Sequence, residues 1–189
     1  MDIVENLIKN INILGFTLIF VAFLFGIKLP DWDFKLGLRH RSIITHSPFI
    51  TLLLIFIYRV KADFFFKYFI VGFSIAIAVH ILFDLFPYKW QGGALLKIPI
   101  NISCDENITK LFFVMTIIIN IFIGIFYMTD IYEYIFILIL AILTFIKKTR
   151  AERIFIRPFL IFIFLVGGLG SLKFRIIFNF LKNLLGKIV

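Results

Sequence analysis

Three short polar strings hold most of the chemistry this chain has to offer: Leu29-Pro30-Asp31-Trp32-Asp33, His40-Arg41-Ser42-Ile43-Ile44-Thr45-His46-Ser47 and His80-Ile81-Leu82-Phe83-Asp84. Between them they contain all three histidines of the protein and three of its eleven acidic residues. Imidazole and carboxylate are the donors from which borderline and hard metal sites are built. Cys104 is the single cysteine, so neither a disulfide framework nor a paired-thiolate zinc site is available.

Spacing sharpens the expectation. On a helix, His80 and Asp84 lie on one face, about 6 Å apart along the axis, which suits two ligands of one ion or a histidine oriented by a carboxylate. Asp31 and Asp33 follow Pro30, which stops the preceding helix. In an extended stretch, side chains two apart point the same way, so both carboxylates are expected to face one site. His40 and His46 would diverge by about 120° on an ideal helix, so serving one site requires the segment between them to bend. Thr45 and Ser47 are expected as hydrogen-bond partners of the ligands or as a helix cap, with Pro48 at the start of the helix that follows. Arg39 and Arg41 offer planar forks for a phosphate or carboxylate group of a substrate.

The elements that must position these strings are membrane helices. The chain has 189 residues, is 62% hydrophobic and has a mean hydropathy of +1.07, more apolar surface than a single soluble domain can hide. It reads as one all-α, polytopic domain over residues 1–189, with five to six spans. The apolar runs are 11–27, 47–58, 64–85, 111–128, 131–146 and 154–172. The last contains Gly167-Gly168-Leu169-Gly170 and is expected to kink or re-enter, and 147–153 reads as a charged loop. Asp2 and Glu5 precede the first run, which marks it as a retained helix rather than a signal peptide. The tail 173–189 alternates basic and apolar residues, as in an amphipathic helix lying in the interface.

The formal net charge is +9, but the basic residues flank apolar segments. Lipid headgroups and topology account for that placement, and nucleic acid is not an expected partner. Lysine and arginine bias favours an N-terminus outside, with Lys28, Lys35, Arg39, Arg41, Lys89, Lys97, Lys110 and the 147–157 cluster in the cytoplasm. If the second and third segments form a hairpin, all three polar strings meet at one membrane face in either orientation. The motif-bearing part is 26–100. The part from 111 to 189 holds no catalytic constellation and reads as scaffold, interfacial tail or surface for a protein partner.

Taken together, in order and spacing, the three strings resemble the LexA-regulated, membrane-bound metal-dependent hydrolases, the YdjM-like proteins. That family shows Leu-Pro-Asp-x-Asp, then His-Arg-x-x-Thr-His-Ser, then a span ending Ser-His-x-x-x-Asp-x-x-x-Pro, then a Gly-containing segment reaching Leu-x-x-Pro. The corresponding residues here are 29–33, 40–47, 80–84 with Pro87, and Gly92 to Pro99. The chain differs in having Phe34 where a histidine is common, no histidine before His40, and a longer interval from His40 to His46. The resemblance implies a divalent ion held by Asp31, Asp33, His40, His46, His80 and Asp84. A nitrogen and oxygen donor set suits Zn²⁺, Mn²⁺ or Fe²⁺. A carboxylate not spent on the ion, Asp33 or Asp84, is expected as general base. The location suggests an anionic amphiphile, a lipid or phosphoester, as substrate in a bacterial or archaeal cytoplasmic membrane. The rival expectation is a non-enzymatic membrane protein with a structural metal site. His-x-x-x-Asp also occurs in integral-membrane phosphatidic-acid phosphatases, but the chain order is wrong for them and their Pro-Ser-Gly-His string is absent.

Overall fold

In the computed structural model, which describes residues 12–61, 63, 65–98, 102–152 and 156–175, Asn12 opens the first helix. Its side-chain oxygen accepts the Gly15 N–H at 3.0 Å, capping α1 (Ile13–Lys28). Among the described residues five further α-helices follow: α2 (Phe49–Lys61), α3 (Phe66–Asp84), α4 (Glu106–Tyr127), α5 (Ile131–Glu152) and α6 (Ile156–Lys173). Among the described residues there is no β-strand, only isolated bridges joining Ser42 to Lys97 and Lys97 to Ser103. The all-α expectation holds.

Helix α3 is apolar on every side, and a helix of that kind must be enclosed. It is buried from Tyr68 to Phe83 with little interruption, and it is the axis on which α1 and α4 pack. Helices α1 and α3 run parallel, with Gly15 against Tyr68, Ile19 against Gly72 and Gly26 against Phe73 and Ala76. Helix α4 runs antiparallel to α3, since Gly124 meets Ser74 and Ile75. Helix α2 lies beside α4, where the Thr51 hydroxyl donates to Asn120 Oδ1 at 2.7 Å and Tyr58 meets Tyr127 edge-on. Helices α5 and α6 form an antiparallel pair closed by Phe145 against Phe159 and Phe162, and by Tyr134 donating to the Val166 carbonyl at 3.1 Å.

Three of these helices, α3, α4 and α6, are long and apolar enough to cross a membrane, fewer than the five to six expected. The physical reasons differ. Helices α1 and α2, at 16 and 13 residues, fall short of a full span. In α5 the helix continues through the run expected as a charged loop, so it carries Glu133, Lys147 and Lys148 within its length. Helix α6 is continuous from Ile156 to Lys173, without the break expected at its glycines. The expected interfacial helix of the tail lies outside the described residues from 176 onward.

The end of the bundle away from the polar strings has its own polar ties. Lys173 at the close of α6 donates to the Ile125 and Phe126 carbonyls at 2.6 Å and to Met128, satisfying groups that the end of α4 leaves unpaired. Buried Glu133 accepts the Thr129 N–H at 2.9 Å and its hydroxyl at 2.8 Å, and Lys67 donates to that hydroxyl at 3.2 Å.

The α1–α3 contact gives a direct test. A Cβ at position 72 would stand 2.2 Å from the Ile19 carbonyl oxygen, whereas one at 167 meets nothing within 4 Å. Gly72→Ala is expected to destabilise the protein by about 1–3 kcal/mol or more through backbone displacement. Gly167→Ala is expected to be neutral or to stabilise by about 0.5–1 kcal/mol. Thermal unfolding in detergent, read on both variants together, checks the contrast.

Candidate metal centre

Pro30 sits at the first position of a 3₁₀ turn, Pro30–Trp32, whose bonds run from Trp32 N–H to Leu29 O at 3.0 Å and from Asp33 N–H to Pro30 O at 3.4 Å. The stretch is helical, not extended, so the two aspartates diverge, and this corrects the expectation that they share a face. Asp33 turns into the protein and is fully buried. The Asp31 side chain stays 63% exposed, yet its Oδ1 comes within 3.7 Å of His80 Nε2.

The segment 40–47 bends, as a shared role for its histidines would require. Arg41 is a non-glycine residue at φ 58°, in the left-handed region, which reverses the chain direction there. Its backbone is held by the long 87–105 connection: Lys97 N–H donates to Arg41 O, and Ile43 N–H to Lys97 O, both at 2.9 Å. The bend sends His46 inward and leaves His40 at the rim, stacked on Phe34 at 5.8 Å between ring centres. Partial burial, with the Arg41 guanidinium beside it, pushes His40 below the ordinary histidine value.

Three donors converge where the bend meets the end of α3. His46 Nε2 lies 3.2 Å from Asp84 Oδ2, and His80 Nε2 lies 3.4 Å from the same oxygen. His46, His80 and Asp84 each offer a donor atom within 4.8 Å of the others. Asp84 Oδ2 is buried and has no hydrogen-bond partner.

The far sides of both rings are anchored. His80 Nδ1 is 2.9 Å from the Ile27 carbonyl, which can only accept, so Nδ1 carries a proton and the neutral ring presents its lone pair at Nε2. His46 Nδ1 is 3.0 Å from the Thr45 hydroxyl, which donates to Asp33 Oδ1. That hydroxyl has one proton to give, so it accepts from His46, again leaving Nε2 as a lone pair. Asp33 Oδ2 stands 3.6 Å from His46 Nδ1 and accepts the Ser42 N–H at 3.2 Å. The two Nε2 atoms and Asp84 Oδ2 thus face one another at 3.2 and 3.4 Å. Nitrogen and oxygen donors in this arrangement could hold a metal ion.

Among the six carboxylates and histidines expected to hold the ion, the structure brings His46, His80 and Asp84 together, with Asp31 at their open side. Asp33 lies behind the His46 ring and His40 outside the group. Arg41 is buried, donating to Asp84 Oδ1 at 2.9 Å and to the Ala94 carbonyl at 2.5 Å, with its guanidinium over Phe113. Its fork is engaged by the protein, whereas Arg39 is exposed. The Ser47 hydroxyl accepts the Phe49 N–H at 3.1 Å and so caps the entry to α2. Sequence reasoning missed the Ile27 and Ala94 carbonyls, because a backbone acceptor leaves no mark on residue type. It also missed Phe113, whose ring stacks on His46 at 6.1 Å. No protein-family model, curated protein or solved structure matches the chain.

The Thr45 link is testable by an isosteric change. Thr45→Val leaves the fully buried Asp33 carboxylate without its hydroxyl donor and is expected to cost about 1–3 kcal/mol. Thr45→Ser, which restores the donor, is expected to recover most of it. Thermal unfolding of the two variants in detergent separates the hydrogen bond from the packing of the methyl group.

Proposed function

We propose that the protein is an integral-membrane, metal-dependent hydrolase acting at the membrane surface on a lipid or other phosphoester. The observation that carries this reading is the buried, unpartnered Asp84 Oδ2 between two Nε2 atoms whose opposite nitrogens are both fixed. In it His46, His80 and Asp84 would hold a divalent ion, with the Asp31 carboxylate beside them on the solvent side and not spent on the ion. When bound, such an ion acidifies a coordinated water and polarises an ester or phosphoryl oxygen.

The remaining residues prepare this site. Ile27 and the Thr45–Asp33 pair hold the two imidazoles in the tautomer that presents Nε2. Arg41 occupies Asp84 Oδ1 and leaves Oδ2 facing the two imidazoles. The general base assigned by this geometry is Asp31, since Asp33 is buried behind His46 and Asp84 is a ligand. Asp31 Oδ1 would accept a proton at the most exposed carboxylate of the group. Exposed Arg39 stands ready for an anionic head group, and His40 lines the rim.

In this reading the chain lies in a cytoplasmic membrane with the polar strings on the cytoplasmic side. Lys28, Lys35, Arg39, Lys89, Lys97, Lys110, Lys147 and Lys148 cluster at that end of the helices, which fits the positive-inside bias. Residues 111 to 189 provide scaffold and surface for lipids or a protein partner.

Metal analysis of the purified protein tests the reading. Wild type is expected to carry about one divalent ion per chain, and both His46→Ala and Asp84→Ala to lose it. Metal retained in both variants overturns the centre. The metal-loaded wild type is then assayed for phosphate release and ester cleavage on phosphatidate in mixed micelles. Turnover that is lost in Asp31→Asn, with metal retained, supports the assigned base. Bound metal with no turnover on a panel of lipid and soluble phosphoesters gives the structural-metal alternative.

A further inference from the structure

The end of the bundle opposite the metal centre holds a group that the hydrolase reading does not use, the ammonium of Lys173. A lysine head carries N–H donors on every side and no acceptor. Here it donates to the Ile125 and Phe126 carbonyls at 2.6 Å each and to the Met128 carbonyl. The Phe126 and Phe174 rings flank the nitrogen, with centres 5.9 and 5.7 Å away. An aromatic face attracts a cation within about 6 Å of its centre.

The chain gathers these oxygens at a helix end. Helix α4 stops at Tyr127, and the last carbonyls of a helix have no partner within it. The negative end of the helix dipole adds to their attraction for a cation. Met128 leaves the helix with ψ 137°, and its carbonyl still reaches the same nitrogen as those of the last turn. The Met128–Thr129 peptide is held from its other side too, since the Thr129 N–H donates to buried Glu133 at 2.9 Å. A carboxylate therefore stands behind the peptide whose carbonyl faces the ammonium. Beside it runs an apolar groove of about 480 Å³ between Phe122, Ile125, Leu169 and Leu172, with Lys173 in its lining. Carbonyls for the head and apolar room for a carbon chain match a primary alkylammonium. A quaternary ammonium has no N–H to give to these oxygens.

We propose that the carboxyl end of α4 is a binding site for a primary ammonium group, which this chain fills with its own Lys173. The site makes the last residue of α6 a tethered ligand of α4. Shortening that side chain opens the site to a free amine of the same kind. Neither the metal centre nor the hydrolase reading enters this inference.

The test uses the full chain in detergent. Lys173→Ala is expected to lower the unfolding midpoint by about 4 °C or more. Propylammonium, the part of the side chain that the substitution removes, is expected to restore most of the loss in a saturable manner. Tetramethylammonium and potassium at equal ionic strength should restore little, and the wild type should respond to none of the three. No recovery, equal recovery by potassium or tetramethylammonium, or an equal response of the wild type overturns the proposal. A second measurement needs only the wild type, labelled with ¹⁵N at the lysine Nζ atoms. Proton exchange at a bonded ammonium requires the head to leave its acceptors. Lys35, Lys89 and Lys173 are all exposed, so burial does not separate them. Exchange at Lys173 is expected to be about tenfold slower than at the other two, the factor given by 1.4 kcal/mol. Equal rates overturn the proposal whether or not the variant folds.

Discussion

The close approach of α1 to α3 is the constraint from which the rest of the structure follows. Gly72 lets the Ile19 backbone lie where a side chain would otherwise begin, and Gly26 does the same for Phe73 further along. Two parallel helices held this tightly have little freedom to slide, because ridges and backbone interlock over several turns. At their shared end the contact delivers the Ile27 carbonyl to His80 Nδ1 at 2.9 Å. A packing decision made in the middle of the bundle thereby sets the orientation of an imidazole at its edge.

Electrostatics explains why the second half of the site takes the form it does. A carboxylate in a buried position is costly unless its charge is met and its oxygens are bonded. Asp84 meets that requirement on one oxygen only, through Arg41, and leaves the other facing two nitrogens. Arg41 in turn reaches inward from a left-handed backbone position that is sparsely populated for a residue with a side chain. The bridge to Lys97 holds that conformation, so the long 87–105 connection supports the site although it supplies none of the three converging donors.

Much of this was legible in residue type and spacing. His80 and Asp84 lie one turn apart as a helix demands, and the required bend between His40 and His46 is present at Arg41. The pairing of Asp31 with Asp33 was misread because a proline that ends one helix can also begin a 3₁₀ turn, which sends the second aspartate behind His46. Arg41 was read as a contact for substrate, but burial gives its fork to Asp84 and Ala94. The span count is lower than the apolar runs suggest because α1 and α2 are too short and α5 keeps charged residues within its length. Backbone carbonyls are outside what residue identity can report, so the anchors of His80 and Arg41 emerged only in three dimensions.

The polar ties of Lys173, Thr129 and Glu133 all lie at the end of the bundle opposite the site. At the other end the α5–α6 pair meets its neighbours through aromatic rings, Phe83 against Phe145 at 5.1 Å among them. Directional bonds resist displacement, whereas ring contacts slip with modest loss. The pair is therefore tied by hydrogen bonds at one end, while at the other Phe145 and Lys148 both meet the Phe83 ring. A displacement of α5 at this end would be felt first at Phe83, one residue from Asp84, so the packing of that helix bears on the geometry of the carboxylate.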